Sequence, residues 1–118
     1  MAQRSRSLDF ARALSEALSL PRTAARIIGT LARARDALDV DEIVRRARSS
    51  ERSVRENLRV LLQRGILIRR AFVTSNKKLA YAYTLRPVGD LLAAARRDVA
   101  RTLARIEAVA RRIRETKA

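Results

Sequence analysis

The chain contains neither cysteine nor histidine among its 118 residues. This excludes disulfide bonds, thiolate or imidazole metal ligands, and any Cys or His nucleophile or base. The 12 acidic residues are scattered as helix caps and as neighbours of arginine, and there is no Gly-rich phosphate loop. We therefore expect no catalytic residues, no metal site and no cofactor.

Long apolar runs are also missing. The longest segment without a charged residue is Leu79 to Leu85, which is too short to span a membrane. No apolar stretch of the kind found in secretory signals follows the N-terminal arginines, so we expect a cytoplasmic protein. With 3 glycines, 2 prolines and 3% aromatic residues, a turn-rich all-β fold is disfavoured, and a single domain of packed helices is favoured.

Charge is abundant and unbalanced. Lys and Arg number 27 against 12 Asp and Glu, which gives a net charge of +15 and a pI near 11.8. A surface this basic predicts a polyanionic partner, with nucleic acid first and an anionic membrane second. Most of the cations are arginine, which suits bidentate contacts to phosphate and guanine. A GC-rich genome or a thermophilic host would also favour arginine.

The spacing of apolar residues predicts four helices in the first half of the chain. Asp39 and Ser50 are predicted N-caps, and Glu42 completes a capping box with Asp39. Gly65 is predicted to end the fourth helix in the left-handed conformation. The predicted segments are a polar, basic tail over residues 1–7 and helices over 8–20, 22–35, 40–47 and 51–64.

After Gly65 the periodicity changes. Residues 66–73 are β-branched and aromatic, residues 74–78 are typical of a turn, and residues 79–85 alternate large and small side chains. Together these segments predict a β-hairpin. Pro87 then opens a last helix over about 88–116, whose apolar stripe recurs at steps of three and four.

Three helices followed by a β-hairpin is the element order of a winged helix-turn-helix. The segment from Ser50 to Leu67 resembles the recognition helix and first wing strand of many prokaryotic winged-helix regulators. Tyr81 to Leu85, followed by Arg86-Pro87-Val88-Gly89, is similar to the returning wing strand and the start of the next helix in MarR-like, PadR-like and TrmB-like regulators. The resemblance covers residues 21 to about 92.

The resemblance implies a mainly α fold with a small β-hairpin, ending in a long C-terminal dimerisation helix. The implied parts are an N-terminal tail and helix over 1–20, a winged helix-turn-helix DNA-binding domain over 21–87, and the dimerisation helix over 88–118. One feature departs from the family pattern. The turn between the second and third of its helices usually holds Gly and then an apolar residue, and here these places hold Arg48 and Ser49.

The recognition helix has one apolar and one charged face. In the resembling families the charged face enters the major groove, where arginine can contact guanine and serines at the helix start can contact phosphate. Glu56 either accepts from cytosine or orients a neighbouring arginine, Arg52 or Arg59. The alternative is a solvated charged face without a partner. The predicted DNA-binding residues here are Ser50, Arg52, Ser53, Arg55, Glu56 and Arg59.

The hairpin segment 65–87 contains five cations and no acid. We expect Arg69, Arg70, Lys77 and Lys78 to contact the DNA backbone or the minor groove. Lysines at a hairpin also protect an edge strand from aggregation, which is the alternative. Two tyrosines of the returning strand, Tyr81 and Tyr83, either stack on unpaired bases or pack against a helix, and packing is the simpler prediction.

The C-terminal helix has an apolar stripe too long for so small a globule to cover. We expect it to pair with a second copy, which would place two recognition helices about one DNA turn apart, near 34 Å. Binding of this basic helix to a membrane is the alternative, although it lacks the Trp or Phe that anchors such helices. The predicted dimer interface is Leu92, Ala95, Val99, Leu103, Ile106, Ala110 and Ile113.

The sequence therefore predicts a homodimeric regulator that binds double-stranded DNA and acts by occupying its site, with repression favoured over activation. Two alternatives stay open, a weakly specific architectural DNA-binding protein and a winged-helix module that binds other proteins. An enzyme is the weakest hypothesis, because the acids are scattered and the serines have no His base. The residues identify no small-molecule effector.

Overall fold

The computed structural model describes residues 2–117. Within this range, five helices and a three-stranded antiparallel sheet make a mainly α fold. The elements in chain order are α1 Ala2–Ala17, α2 Arg22–Arg33, β1 Leu38–Asp39, α3 Val40–Ala47, α4 Glu51–Gln63, β2 Leu67–Val73, β3 Leu79–Leu85 and α5 Val88–Lys117.

Both predicted N-caps are confirmed. The Asp39 side chain accepts a hydrogen bond from the backbone N–H of Glu42 at 2.9 Å, and the Ser50 hydroxyl accepts one from the N–H of Ser53 at 3.1 Å. These bonds satisfy donors that the first turn of a helix leaves without an intrahelical partner. Gly65 follows α4 with φ +74°, the left-handed conformation expected at a helix end. Local sequence signals thus set where α3 and α4 begin and where α4 stops.

One core joins the first four helices and the start of α5 to the sheet. The apolar face of each helix turns inward, and its largest side chains are almost completely removed from solvent. Aliphatic residues dominate this core, as the scarcity of aromatics predicts, and Tyr83 is its one aromatic member among the described residues. The largest fully buried side chains are Ile27, Ile28, Ile43, Val54, Leu61, Ile66, Leu67 and Leu91.

The predicted hairpin is confirmed, but it belongs to a larger sheet. Strands β2 and β3 pair antiparallel from Leu67 opposite Leu85 to Val73 opposite Leu79. Strand β1 adds to the other edge of β3, where Leu38 lies opposite Tyr83, so the strand order is β1-β3-β2. Strand β1 is absent from the sequence prediction, because a strand of two residues is too short to display an alternating pattern.

The predicted N-terminal tail is wrong, because α1 already begins at Ala2. Residues 2–7 carry no apolar stripe, which hides the helix from a periodicity test, but alanine, glutamine and arginine all have high helix propensity. Further along, Ala11, Leu14 and Leu18 are buried against the core. The helix ends at Ala17, slightly earlier than predicted, and Ser19 adopts φ +50° before α2.

The last helix extends well beyond the core. Its 30 residues make it about 45 Å long, and the molecule measures 69 × 34 × 24 Å along its principal axes. Leu91 and Ala94, near the start of α5, are buried. Among the described residues, no helix is long and apolar enough to span a membrane.

Candidate nucleic-acid interface

The turn between α3 and α4 positions the start of α4. Arg48 takes the left-handed conformation, with φ 53° and ψ 47°, and its N–H donates to the carbonyl of Val44. The N–H of Ser49 donates to the same carbonyl at 3.3 Å. An arginine therefore adopts the backbone conformation that glycine usually supplies, which costs conformational energy. Arg48 thus stands where the resembling families usually have glycine, and the backbone of the turn is nevertheless left-handed.

Helix α4 buries one face and exposes the other. Val54, Leu58 and Leu61 are buried in the core, which leaves the charged face in solvent, as predicted. The exposed residues of that face are Arg52, Arg55, Glu56 and Arg59.

Two acids of α4 pair with arginines one turn away. The Arg52 Nε lies 3.5 Å from Glu56 Oε1, and an Arg55 guanidinium nitrogen lies 3.1 Å from Glu51 Oε1. Glu56 therefore orients Arg52, one of the two neighbours considered from sequence. Arg59 makes no ion pair with any described residue.

The two predicted serines differ in their surroundings. Ser50 is exposed at the start of α4. Ser53 is half-buried, and its hydroxyl donates to the Thr23 hydroxyl of α2 at 3.2 Å. This bond ties the first turn of α4 to α2, a role that the sequence analysis does not predict. The exposed N-terminal end of α4 thus carries the Ser50 hydroxyl, while the Ser53 side chain faces the neighbouring helix.

The register of the hairpin separates the two predicted arginines of β2. Residues directly opposite each other in a sheet share a face, and successive residues alternate between faces. Arg69 lies opposite Tyr83, whose side chain is buried on the α4 side, so Arg69 shares that side. Arg70, its neighbour in sequence, lies on the opposite face. The alternation of side chains along a strand is the sequence signal that predicts this separation of Arg69 from Arg70.

A cleft of about 290 Å³ lies between α4 and the hairpin. The Arg69 guanidinium carbon stands 4.2 Å from the centre of the Tyr81 ring, a distance that permits a cation–π interaction. Cations from two separate elements, α4 and β2, therefore converge at one surface. The residues lining the cleft are Arg55, Leu58, Arg59, Leu62, Arg69 and Tyr83.

The tip of the hairpin is a short loop with two exposed lysines. The N–H of Thr74 donates to the carbonyl of Lys78 at 2.9 Å, and the N–H of Lys77 donates back to the carbonyl of Thr74 at 2.9 Å. Lys77 has φ +58°, so it occupies the left-handed position that three-residue hairpin loops require. Packing of the tyrosines is confirmed, since Tyr83 is buried and Tyr81 is half-buried beneath Arg69.

Comparison with known proteins agrees with this geometry at the level of fold. No protein-family model matches the chain, and its sequence matches no curated protein. Among solved structures it is similar to a possible transcriptional regulator from Methanosarcina mazei Go1, with a TM-score of 0.70, 15% identity, and coverage of 83% of this chain and 82% of the other. The chain has the winged-helix fold of transcriptional regulators.

Two further solved structures extend the match over almost the whole chain. The transcriptional regulator PA3341 is 25% identical, with a TM-score of 0.53 and coverage of 98% of this chain and 93% of the other. A mutant of S. aureus MepR bound to an oligodeoxyribonucleotide is 17% identical, with a TM-score of 0.50 and coverage of 97% and 90%. In this winged helix α4 holds the place of the recognition helix, and the β2–β3 hairpin is the wing.

The helix that follows the wing presents an exposed apolar stripe. Leu92, Val99, Leu103, Ile106 and Ile113, all in the predicted interface, are exposed, and so is Val109, which the prediction omits. Ala110 is half-buried. Ala95 is half-buried and packs against the chain's own core, because the first turns of α5 use a neighbouring face, marked by Leu91 and Ala94, to attach to the domain.

One ion pair joins the end of α4 to α5. Arg64, the C-cap residue of α4, donates to Asp98 Oδ2, and Arg101 donates to the other oxygen of Asp98 at 2.8 Å. These residues and three members of the exposed stripe, Val99, Leu103 and Ile106, line a groove of about 960 Å³ between α5 and the end of α1. This contact could not be predicted from the sequence pattern, since nothing local links residues 64 and 98.

Proposed function

We propose that this chain is a transcriptional regulator that binds double-stranded DNA as a homodimer. The recognition helix α4 enters the major groove, and the wing contacts the phosphate backbone or the minor groove. Regulation follows from occupancy: the bound dimer blocks access of the polymerase and represses transcription.

The observation that carries this proposal is the convergence of arginines at the cleft between α4 and the wing. Arg55 and Arg59 come from α4 and Arg69 from β2, so two elements present positive charge to one surface. Duplex DNA offers both acceptors that arginine prefers, the phosphate oxygens and the guanine edge. A solvated charged face would not require cations from separate elements to meet.

The residues divide into base readers and backbone contacts. Arg59 and Arg55 are proposed to read bases, Arg59 foremost because it has no ion pair among the described residues. The wing residues Arg69, Lys77 and Lys78 are proposed to contact phosphates. The remaining proposed contacts are Ser50, Arg52 and Arg70. Glu56 and Ser53 are proposed to act indirectly, Glu56 by orienting Arg52 and the Ser53 hydroxyl by steadying the helix through Thr23.

The proposed dimer is held by the exposed stripe of α5. Leu103 is 54% exposed and Ile106 is 60% exposed, although both are strongly apolar. A second copy of the helix would remove this stripe from water, and burial of apolar surface is the main driving force of association. Binding to a membrane would use the same stripe, but α5 carries no Trp, Tyr or Phe to anchor it at a bilayer surface.

Selection from a randomised duplex library by the purified protein, at about 0.15 M salt, tests the proposal. We expect the retained pool to contain an inverted repeat with half-sites about one turn, near 34 Å, apart. Arg59→Ala is expected to weaken the enrichment at specific base positions, while the matched variant Arg112→Ala, on α5 away from the proposed site, leaves the pool unchanged. If the protein retains no duplex, DNA binding is contradicted and a protein-binding module is favoured.

A second candidate is a weakly specific architectural DNA-binding protein. The observation in its favour is the spread of positive charge, since α5 is as arginine-rich as the recognition helix and the wing. Such a protein binds through phosphates and shows little preference among sequences. In the same selection it would retain duplex strongly without enriching any motif.

A further inference from the structure

The contact between Arg64 and Asp98 differs in kind from the other ion pairs of the molecule. Each of the remaining five found in the described residues joins positions three or four apart; four lie within one helix, and Arg86–Asp90 joins the residue after β3 to the first turn of α5. Arg64 and Asp98 lie 34 positions apart and connect two separate helices. Their side chains are only 32% and 25% exposed, which shields the pair from solvent more than the pairs on α4.

The Arg64–Asp98 pair lies at the point along α5 where the buried attachment of the helix to the domain ends. Before Asp98, the helix is attached to the domain by Leu91 and Ala94, which are buried. From Val99 onward its large apolar side chains are exposed. Asp98 therefore lies where the buried attachment of the helix to the domain ends and the longer part of the exposed stripe, Val99 to Ile113, begins; Leu92 is exposed before this point.

We propose that the Arg64–Asp98 ion pair sets the angle between the recognition helix and α5, and thereby the distance between the two recognition helices of the dimer. The inference rests on the proposed function, since it concerns the spacing of half-sites. Arg64 and Asp98 act as positioning residues, because neither belongs to the face that would contact DNA. Their effect passes through the orientation of α4.

The dimensions of α4 make the spacing sensitive to this contact. Its 13 residues give it a length of about 20 Å, with Arg64 at one end and Ser50 at the other. A rotation of about 10° around the Arg64 end moves the Ser50 end by about 3.5 Å, close to the rise of one base pair. A small loosening at Arg64 and Asp98 is thus sufficient to change the preferred spacing by one step.

The first test measures binding to duplexes in which the spacing between two half-sites changes in steps of one base pair. The native protein is expected to prefer one spacing by about 10-fold over its neighbours, and Asp98→Asn to reduce this preference to about threefold or less. Arg64→Gln should have the same effect, and the double variant should add little, because both changes remove one ion pair. Arg101→Ala is the matched control: it removes the other partner of Asp98 and should leave the spacing profile unchanged.

A second measurement needs no DNA. Because the chain has no cysteine, Arg45→Cys places a single spin label on the exposed side of α3, and pulsed electron paramagnetic resonance then gives the distance between the two protomers. We expect a narrow distribution in the otherwise native dimer and a broader one when Asp98→Asn is added, with an unchanged mass by light scattering.

These outcomes separate the inference from the function on which it rests. A spacing profile and a distance distribution that do not change in Asp98→Asn overturn the positioning role while leaving DNA binding and the dimer intact. A native protein that gives no distance between protomers overturns both the positioning role and the proposed dimer, because there are then no two recognition helices to be spaced. A broad distribution already present in the native dimer also overturns the positioning role.

Discussion

Helices α4 and α5 are both arginine-rich and amphipathic, yet the apolar face is covered in α4 and largely exposed in α5. In α4 the apolar residues Val54, Leu58 and Leu61 are at most 2% exposed, and the charged face is the one in solvent. In α5 the apolar residues beyond Asp98 are exposed along most of the helix. Similar composition therefore produces different surfaces, depending on whether the rest of the chain covers the apolar side.

The difference indicates where each helix acts. A helix whose apolar side is already covered has only its charged side to offer, which for α4 is the proposed DNA surface. For a helix whose apolar side is exposed, association that buries this side is favourable, because leaving large aliphatic groups in water costs free energy. Substitutions on these faces should consequently have distinct effects.

The largest effect is expected on the covered face of α4. Leu61 is fully buried, and Leu61→Ala should lower the free energy of unfolding by about 2–5 kcal/mol, because it removes apolar packing and leaves a cavity. Denaturant unfolding followed by circular dichroism measures this loss. The control is Val60→Ala on the exposed side of the same helix, which should cost far less; equal losses would contradict the assigned orientation of α4.

The next effect is expected on the open face of α5. Leu103→Glu combined with Ile106→Glu should give a folded monomer, because two buried charges cannot be accommodated in an apolar interface. We expect a loss of about 100-fold or more in affinity for a duplex with two half-sites, since avidity disappears with the second copy. Light scattering gives the mass and fluorescence anisotropy gives the affinity.

Ala104→Glu is the matched control for this variant. Ala104 is exposed on the other side of α5, so the same charge there should leave both the mass and the affinity unchanged. Should the double variant keep the mass of the native protein, the stripe is not the dimer interface.

A smaller effect is expected on the charged face of α4. Arg59→Ala should lower affinity for the preferred site by about 1–3 kcal/mol, because alanine cannot form the bidentate hydrogen bonds to a base, and should hardly change binding to random duplex. Unfolding should be unaffected, in contrast to Leu61→Ala. Anisotropy titrations provide the ratio of the affinities for the preferred and the random duplex. Equal losses of affinity on both duplexes would refute base reading by Arg59.

The wing serves as the comparison for Arg59. Replacing Lys77 and Lys78 together with Ala should weaken binding to preferred and random duplexes about equally, because phosphate contacts carry no sequence information. The slope of affinity against salt concentration should fall by about one for each phosphate that the variant no longer neutralises. A weakening confined to the preferred site would assign base reading to the wing tip instead.

The smallest effect concerns the turn that leads into α4. Arg48→Gly should raise the free energy of unfolding by about 0.5–1 kcal/mol, because glycine adopts the left-handed conformation without the steric cost that arginine bears. Thermal or denaturant unfolding measures the gain. A decrease in stability would show that the Arg48 side chain makes interactions that outweigh the backbone cost.

Much of this architecture could be predicted from sequence because its signals are local. Asp39 and Ser50 lie at helix starts, Gly65 lies at a helix end, and the alternation of residues 79–85 marks a strand that the structure confirms. The face of α4 follows from three apolar residues at helical spacing. Such patterns operate within a few residues and need no knowledge of the rest of the chain.

The features that sequence reasoning missed depend on contacts distant in sequence or on very short segments. Strand β1 exists because Leu38 and Asp39 pair with β3, and the Arg64–Asp98 contact depends on how α5 packs. In α5 the attached face of Leu91 and Ala94 lies beside the predicted stripe, and alanine-rich sequence blurs the boundary between them. The sequence pattern alone therefore assigns Ala95 to the dimer stripe, whereas it packs on its own domain.

The central claim, that α4 binds DNA through its charged face while α5 pairs through its apolar face, is tested most directly by the mass of the complex. Light scattering of the purified protein with the duplex recovered by selection reports how many chains bind. We predict one duplex carrying two chains, so that the bound protein has twice the 13.3 kDa chain mass, and a free protein that is already a dimer. The account would be contradicted by a single chain on the duplex. It would also be contradicted by a free protein that is a monomer and still binds the duplex as tightly as a dimer would.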